Sequence, residues 1–121
     1  VMIIEDKFEN LKKLNEVEKT FTTIGLNLES VKRFRAGKGK SRGRAVRYKK
    51  NALVVVSKKC DLVKAVANLP GFEIVNVKDL NARILTVGHE TPRQCLFTEG
   101  AIEKLNKEKL FLNKQWKQLI Q

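Results

Sequence analysis

The chain has 121 residues and carries 25 Lys and Arg against 13 Asp and Glu, which gives a net charge of +12 and a pI near 10.0. A chain of this length forms one domain or part of one, and 42% hydrophobic residues suffice for a core. No apolar run approaches the roughly 20 residues of a membrane span, and the opening residues lack the pattern of a signal peptide. The charge favours nucleic acid or an anionic membrane as a partner.

The first part of the chain predicts one strand and two helices. Residues 1–4 form a short apolar run typical of a buried strand. Asp6 and Glu9 resemble a capping box, and apolar residues at spacings of three and four then predict an amphipathic helix that ends at Gly25. Its apolar face contains Phe8, Leu11, Leu14, Val17, Phe21 and Ile24. Asn27 is expected to cap a second short helix through Leu28, Val31 and Phe34.

Residues 32–50 contain ten Lys or Arg and no acid. The other residues carry fifteen bases against thirteen acids, so this segment supplies ten of the twelve net positive charges. Cations at this density repel one another unless a polyanion such as RNA or DNA neutralises them. Glycines are spaced among the cations and allow sharp turns. We expect a loop that is mobile alone and becomes ordered against sugar and phosphate; a solvated linker is the alternative.

The second part of the chain alternates strands with helices. Strands are predicted over 52–56, 72–77 and 94–97, and helices over 61–69, over 79–85 and from Thr98 onward. Repeated strand–helix–strand order implies right-handed crossovers. The predicted fold is therefore α/β, with three layers and a mainly parallel sheet between helices. We divide the chain into an α/β domain over 1–107, which contains the basic loop, and a helical tail over 108–121.

The tail has an apolar stripe. Leu112, Trp116, Leu119 and Ile120 fall on one side of a predicted helix. Such a stripe packs on its own domain or docks on a neighbouring protein or RNA, and the sequence leaves both open.

Sequence motifs for enzymatic chemistry are incomplete. Gly39, Lys40 and Ser41 match the end of a phosphate-binding P-loop, but Phe34 stands where the first glycine belongs, and a helical pattern precedes the segment. A dinucleotide fingerprint would need a glycine at Arg42. One histidine and two distant cysteines do not supply a metal site. Cys60 and Cys95 are interpreted as reduced thiols rather than a disulfide, and Cys95 lies in an apolar strand where a thiol is inert. We expect no catalytic residue, metal or cofactor.

The candidate site is an RNA-binding surface. Its cations pair with phosphates, its glycines let the loop enter a narrow crevice, and its tyrosine stacks on an exposed base or sugar. The predicted residues are Arg33, Arg35, Gly37, Lys38, Gly39, Lys40, Arg42, Gly43, Arg44, Arg47, Tyr48, Lys49 and Lys50. His89 and Arg93, in a polar turn before the last strand, are added to this set, although an ordinary surface turn explains them equally well.

Several blocks of sequence resemble one protein family. They include Arg35 to Lys40, Arg42-Gly43-Arg44, Asn68-Leu69-Pro70-Gly71, Val75-Asn76-Val77 with Leu80-Asn81, and Thr98-Glu99 with Ala101. In this order and spacing, over about residues 1–107, the chain resembles the archaeal and eukaryotic type of the fourth large-subunit ribosomal protein family. Only the C-terminal half of that family is covered, so the tunnel-reaching loop of its N-terminal half has no counterpart here.

The resemblance implies an α/β protein without catalysis or a small-molecule substrate. It implies a structural constituent of the large ribosomal subunit, cytoplasmic and free of membrane, that binds ribosomal RNA and supports subunit assembly and translation. Neighbouring large-subunit proteins are expected partners, with residues 108–121 as one contact. A free-standing RNA-binding regulator and a P-loop-like NTPase are the alternatives.

Overall fold

The computed structural model describes residues 1–28, 31–86 and 93–112. Within these ranges the strands are β1 (Met2–Ile4), β2 (Lys32–Phe34), β3 (Val46–Tyr48), β4 (Leu53–Val56), β5 (Glu73–Asn76) and β6 (Cys95–Thr98). The helices are α1 (Leu14–Thr23), α2 (Leu62–Ala67), α3 (Ala82–Leu85) and α4 (Glu99–Glu108). Short 3₁₀ turns cover Asp6–Asn10, Gly37–Gly39 and Val77–Asp79.

Four strands form a parallel sheet in the order β1-β6-β4-β5. The central strand β4 is buried on both faces, as its continuous apolar run predicts. Val54 and Val56 face the layer that contains α1 and α2, while Leu53 and Val55 face α3 and α4. The three-layer α/β prediction is confirmed.

The long N-terminal helix predicted over residues 6–24 is wrong in its first half. The chain makes a 3₁₀ turn over Asp6–Asn10, and α1 starts only at Leu14. Asp6 accepts a hydrogen bond from the backbone N–H of Gly100, 2.7 Å away, at the start of α4. Glu9 accepts hydrogen bonds from Ser57 and Thr98. The two carboxylates therefore serve distant elements rather than a local capping box.

The second predicted helix, expected from Asn27 through Phe34, is wrong at both of its described ends, since 27–28 and 31 are not helical. Lys32–Phe34 is strand β2, and its three side chains are exposed. Phe34 lies opposite Val46 in a second strand instead of packing on the core, so only Leu28 of the helically spaced Leu28, Val31 and Phe34 contacts the core.

The later elements follow the prediction closely. Leu62, Ala65, Val66 and Leu69 are all buried on the α2 side. Asp61 and Thr98 occupy the cap positions of α2 and α4, but neither side chain makes a capping hydrogen bond. Asp61 pairs with Lys12 at 3.1 Å instead. In the tail, Trp116, Leu119 and Ile120 lie outside the described residues.

Candidate nucleic-acid interface

Residues 32–50, here called the basic hairpin, form an antiparallel ribbon rather than an irregular loop. The register pairs Lys32 with Tyr48, Arg33 with Arg47 and Phe34 with Val46. The ladder continues beyond the strands, because the N–H of Arg35 donates to the carbonyl of Ala45 and the N–H of Lys49 donates to that of Val31. These backbone hydrogen bonds of the hairpin are therefore formed between its own two strands and their flanking residues.

The tip of the basic hairpin is a compact turn. Gly37 and Gly43 have φ values of 80° and 72°, a left-handed conformation that glycine adopts without steric cost. The N–H of Arg44 donates to the carbonyl of Gly39 over 2.9 Å, which closes the turn. Ser41 Oγ donates to the carbonyl of Lys38. Gly39, Lys40 and Ser41 thus lie between two antiparallel strands, whereas a P-loop joins a strand to a helix.

The cationic side chains of the basic hairpin face solvent. Among the residues that the structure describes, Lys50 is the only one of these cations with an acidic partner, Glu73. The exposed members of the predicted set are Arg33, Arg35, Gly37, Lys38, Lys40, Arg42, Gly43, Arg44, Arg47, Tyr48, Lys49 and Lys50, and Gly39 is half-buried. The structure therefore brings the main group of predicted residues onto one exposed ribbon, whose cations other than Lys50 have no acidic partner among the described residues.

The ribbon joins the α/β body at the amino ends of the sheet strands. The N–H of Asn51 donates to the carbonyl of Gly71 over 2.7 Å, and Asn51 Nδ2 donates to the carbonyl of Asn27. Gly71 has a φ of 91°, and a Cβ there would lie 2.7 Å from the carbonyl oxygen of Lys49. Only glycine permits this close approach, so the exit of the hairpin is fixed against the turn that precedes β5.

An ionic cluster reinforces this junction. Glu73, at the start of β5, binds the ammonium of Lys50, and its Oε2 lies 2.8 Å from Nη2 of Arg93. Burial alone would raise the pKa of Glu73, but the cations of Lys50 and Arg93 outweigh burial and hold that pKa below its usual value. Glu73 is therefore ionised at neutral pH and ties the last cation of the hairpin to the sheet.

Arg93 does not belong to the exposed surface on which it was predicted to touch RNA. Its side chain is only 4% exposed and lies against Glu73. Its guanidinium nitrogens are buried and make no well-aligned hydrogen bond. A buried guanidinium requires a nearby anion, and Glu73 supplies it. Arg93 is thus a residue of the junction; His89, predicted with it, lies outside the described residues.

The opposite edge of the sheet is closed by polar side chains that bind one another. Glu9 accepts hydrogen bonds from the N–H and Oγ of Ser57, at 2.9 and 3.1 Å, and from Oγ1 of Thr98 at 2.7 Å. Lys104 donates to the carbonyl of Ser57. Parallel α/β proteins often bind ligands at this carboxyl edge. Here these groups join β4, β6 and the N-terminal segment instead.

The two cysteines are free thiols, and Cys95 is buried. Burial, followed by the nearby carboxylate of Glu9, raises the pKa of the Cys60 thiol. A raised pKa leaves little thiolate at neutral pH, which agrees with a structural role.

In residues 1–28, 31–86 and 93–112, no three His, Cys, Asp or Glu side chains are placed to hold a metal ion. No helix in these ranges is long and apolar enough to cross a bilayer.

These features define an α/β protein with a parallel sheet that carries an exposed basic hairpin at the amino edge of that sheet. Comparison with known proteins identifies the family. A family model described as the ribosomal protein L4/L1 family matches residues 1–108. The chain therefore belongs to the ribosomal protein L4/L1 family.

Several relatives are archaeal proteins named large ribosomal subunit protein uL4. That of Methanococcus aeolicus is 43% identical over 111 residues, covering 88% of this chain and 44% of the relative. That of Archaeoglobus fulgidus is 39% identical over 108 residues, covering 85% and 43%. That of Nanoarchaeum equitans is 39% identical over 117 residues, covering 92% and 43%. The chain thus spans less than half the length of these relatives.

Proposed function

We propose that this chain is a structural constituent of the large ribosomal subunit that binds ribosomal RNA through the basic hairpin. The observation that carries the proposal is the hairpin itself, which concentrates ten cations and no acid on a projecting ribbon. Membership in a ribosomal protein family supports RNA as the polyanion. In this role the protein acts in the cytoplasm, within the ribosome, and supports subunit assembly and translation.

The binding mechanism is charge neutralisation. The exposed cations pair with phosphates where RNA helices approach one another, which lowers the repulsion between those helices and releases counterions. Arg42 and Arg44, at the tip, are the strongest candidates for fixed contacts because a guanidinium directs two donors to one phosphate. The left-handed Gly37 and Gly43 keep the tip narrow enough to enter a crevice between RNA helices.

The body of the protein has a different task in this proposal. It holds the hairpin in one direction through Asn51, Gly71 and the cluster around Glu73. A preorganised cationic ribbon loses less conformational entropy on binding than a free loop. Neighbouring ribosomal proteins are proposed partners of the body, with residues 108–121 as one contact, and His89 remains a proposed RNA contact.

No catalytic step is part of this function. The P-loop-like residues lie at a hairpin tip rather than between a strand and a helix, and Ser41 Oγ donates to the carbonyl of Lys38 there. The polar groups at the carboxyl edge of the sheet bind one another. The protein is therefore proposed to work without a cofactor or a small-molecule substrate.

The test is the salt dependence of binding between the 121-residue chain and large-subunit ribosomal RNA. About six to eight phosphate contacts predict that affinity falls by roughly three orders of magnitude between about 50 and about 200 mM salt. An affinity that barely responds to salt contradicts the proposed mechanism.

Sedimentation separates a resident ribosomal protein from a free-standing RNA-binding regulator. The full-length protein, expressed with an affinity tag, is followed through gradients after ribosomal subunits are washed at increasing salt. A resident protein stays with the large subunit through washes that remove loosely bound factors. Release at the first wash, with salt-sensitive RNA binding intact, favours the regulator.

A further inference from the structure

The basic hairpin has two chemically different faces. In an antiparallel ribbon, residues directly opposite each other project to the same side. Phe34 and Val46 form one such pair, and Lys32 and Tyr48 form the next pair on that side. Arg33 and Arg47 form the pair between them and project to the other side. We call these the aromatic face and the cation face of the hairpin.

The aromatic face is exposed. Phe34 is 76% exposed and Tyr48 is 42% exposed, and Val46 beside them is also exposed. Three aromatic residues of the α/β body, Phe8, Phe21 and Phe72, are instead buried, with Phe21 packed against both of the others, whereas Phe111 near the end of the described residues is 63% exposed. An exposed aromatic pair on a short ribbon costs hydration free energy in the free protein, so it points to a partner that covers it.

Charge restricts that partner. The cation face places Arg33 directly opposite Arg47, an arrangement that destabilises a strand pair unless an anion lies between the two guanidinium groups. A second copy of this chain would bring another ten cations against the first ten. A polyanion can pair with the guanidinium groups of the cation face. A nucleic acid also has apolar surfaces, the faces of its bases, that can cover the aromatic face.

We infer that the aromatic face is a stacking site for an unpaired base of RNA, and that Phe34 is its principal residue. This inference rests on the proposed RNA-binding function and makes it more specific. The hairpin takes a phosphate between Arg33 and Arg47 on one face and a splayed-out base on the other. The preferred RNA is therefore a helix interrupted by a bulge or an internal loop, rather than a continuous duplex whose bases are already stacked.

The spacing of the two residues along the ribbon fits this assignment. Phe34 and Tyr48 are diagonal neighbours on the same face, because Tyr48 lies two residues beyond Val46, the partner of Phe34. Diagonal neighbours in an antiparallel pair lie about 7 to 8 Å apart. Successive stacked bases lie about 3.4 Å apart, so the separation is about two stacking steps. One base between the two rings matches this spacing, and Lys32 beside Tyr48 is placed for its phosphate.

The test compares two RNA hairpins with the same number of phosphates, one fully paired and one with unpaired adenines in its stem. The wild-type chain is expected to bind the bulged RNA roughly tenfold or more tightly. Phe34→Ala is expected to abolish that preference and to leave the salt dependence unchanged, because no phosphate contact is removed. Phe34→Tyr should restore the preference. Val31→Ala, which shortens an exposed apolar residue outside the aromatic face, should leave it intact.

The possible results distinguish this inference from the proposed function. Equal affinity of the wild-type chain for both RNAs, or a preference that survives Phe34→Ala, overturns the stacking site while RNA binding stands. Salt-insensitive binding to both RNAs overturns the proposed function itself. If Phe34→Ala instead weakens incorporation into ribosomal subunits without changing RNA preference, the aromatic face docks on a protein and the inference is wrong.

A spectroscopic readout reports stacking directly. The chain has a single tryptophan, Trp116, so Phe34→Trp in a Trp116→Phe background places the one indole on the aromatic face. Quenching of that indole by the bulged RNA, and much weaker quenching by the paired RNA, supports the stacking site. Equal quenching by both RNAs overturns it.

Discussion

The α/β body and the basic hairpin use the same residue types in opposite ways. In the body, Phe21 is buried and stacks on Phe72, and Lys12 pairs with Asp61. In the hairpin, Phe34 is exposed, and the cations other than Lys50 have no acidic partner among the described residues. In the proposed function, stability therefore depends on the buried body and RNA binding depends on the exposed hairpin.

The two edges of the sheet repeat this contrast. At the carboxyl edge, Glu9 accepts hydrogen bonds from Ser57 and Thr98, so these polar groups bind one another within the fold. At the amino edge, Glu73 and Gly71 hold a ribbon whose own charges are left unpaired. Acidic residues thus occur in the body and at its junction with the hairpin, whereas residues 32–50 contain none.

The largest expected difference between the two regions is in the effect of replacing a phenylalanine by alanine on the free energy of unfolding. Phe21→Ala removes a fully buried ring that packs between Phe8 and Phe72, and it should lower the free energy of unfolding by about 3 to 5 kcal/mol. Phe34→Ala should change it by no more than about 0.5 kcal/mol. Urea unfolding of the free chain measures both, and a comparable loss for the two variants would show that the hairpin is part of the core.

A second matched pair concerns two glycines with left-handed φ. Gly71→Ala forces a Cβ to within 2.7 Å of the Lys49 carbonyl and should destabilise the chain by about 2 to 3 kcal/mol. At Gly43 a Cβ meets nothing within 4 Å, so Gly43→Ala carries only the conformational cost of about 1 kcal/mol. Thermal unfolding compares them. Equal losses would mean that the junction at Gly71 is not closely packed.

Glu73→Gln tests the ionic junction and has a defined pH dependence. Because the folded-state pKa of Glu73 lies below its usual 4.5, its stabilising contribution is complete above about pH 4.5 and is lost as the pH falls through the folded-state pKa. The variant should therefore lose about 1 kcal/mol at pH 7, and the difference from wild type should shrink towards pH 3. Glu103→Gln, in an exposed pair with Lys107, should change stability by only a few tenths of a kcal/mol. If the difference in stability between wild type and Glu73→Gln stays constant with pH, Glu73 is not the anion of the junction.

The sequence predicts the body well because its apolar patterns are long and consistent. The run at β4 and the helical spacing of α2 identify buried faces without knowledge of their partners. The cations and glycines at 32–50 also identify the candidate site, because charge density needs no tertiary information. Residues that act locally are thus visible in the sequence.

Residues that act at a distance are not visible in this way. Asp6 and Glu9 match a local cap, yet they bind groups at Gly100 and Thr98, far along the chain. Arg93 looks like a surface cation until Glu73 is placed beside it. The signal in the sequence is Glu73 itself, an acid at the start of a predicted strand, because a carboxylate that becomes partly buried there needs a cationic partner.

Dependence on distant residues also explains why the first strand of the hairpin was predicted as part of a helix. Phe34 has helical spacing from Leu28 and Val31, but the pairing of Lys32–Phe34 with Val46–Tyr48 depends on a turn ten residues away. The two short runs carry no alternation of apolar and polar residues against a core. The β-ribbon, and with it the aromatic face, became visible only in three dimensions.

The most direct test measures RNA affinity and melting temperature for two double variants, one in the hairpin and one in the body. Arg42→Ala with Arg44→Ala is compared with Lys13→Ala with Lys19→Ala, which removes two exposed cations from the body. The account predicts that the hairpin variant loses at least tenfold in affinity for large-subunit ribosomal RNA and keeps its melting temperature within about 2 °C. The body variant should change neither quantity appreciably. Equal losses of affinity in both variants, or a large fall in melting temperature for the hairpin variant, would contradict the separation of binding from folding.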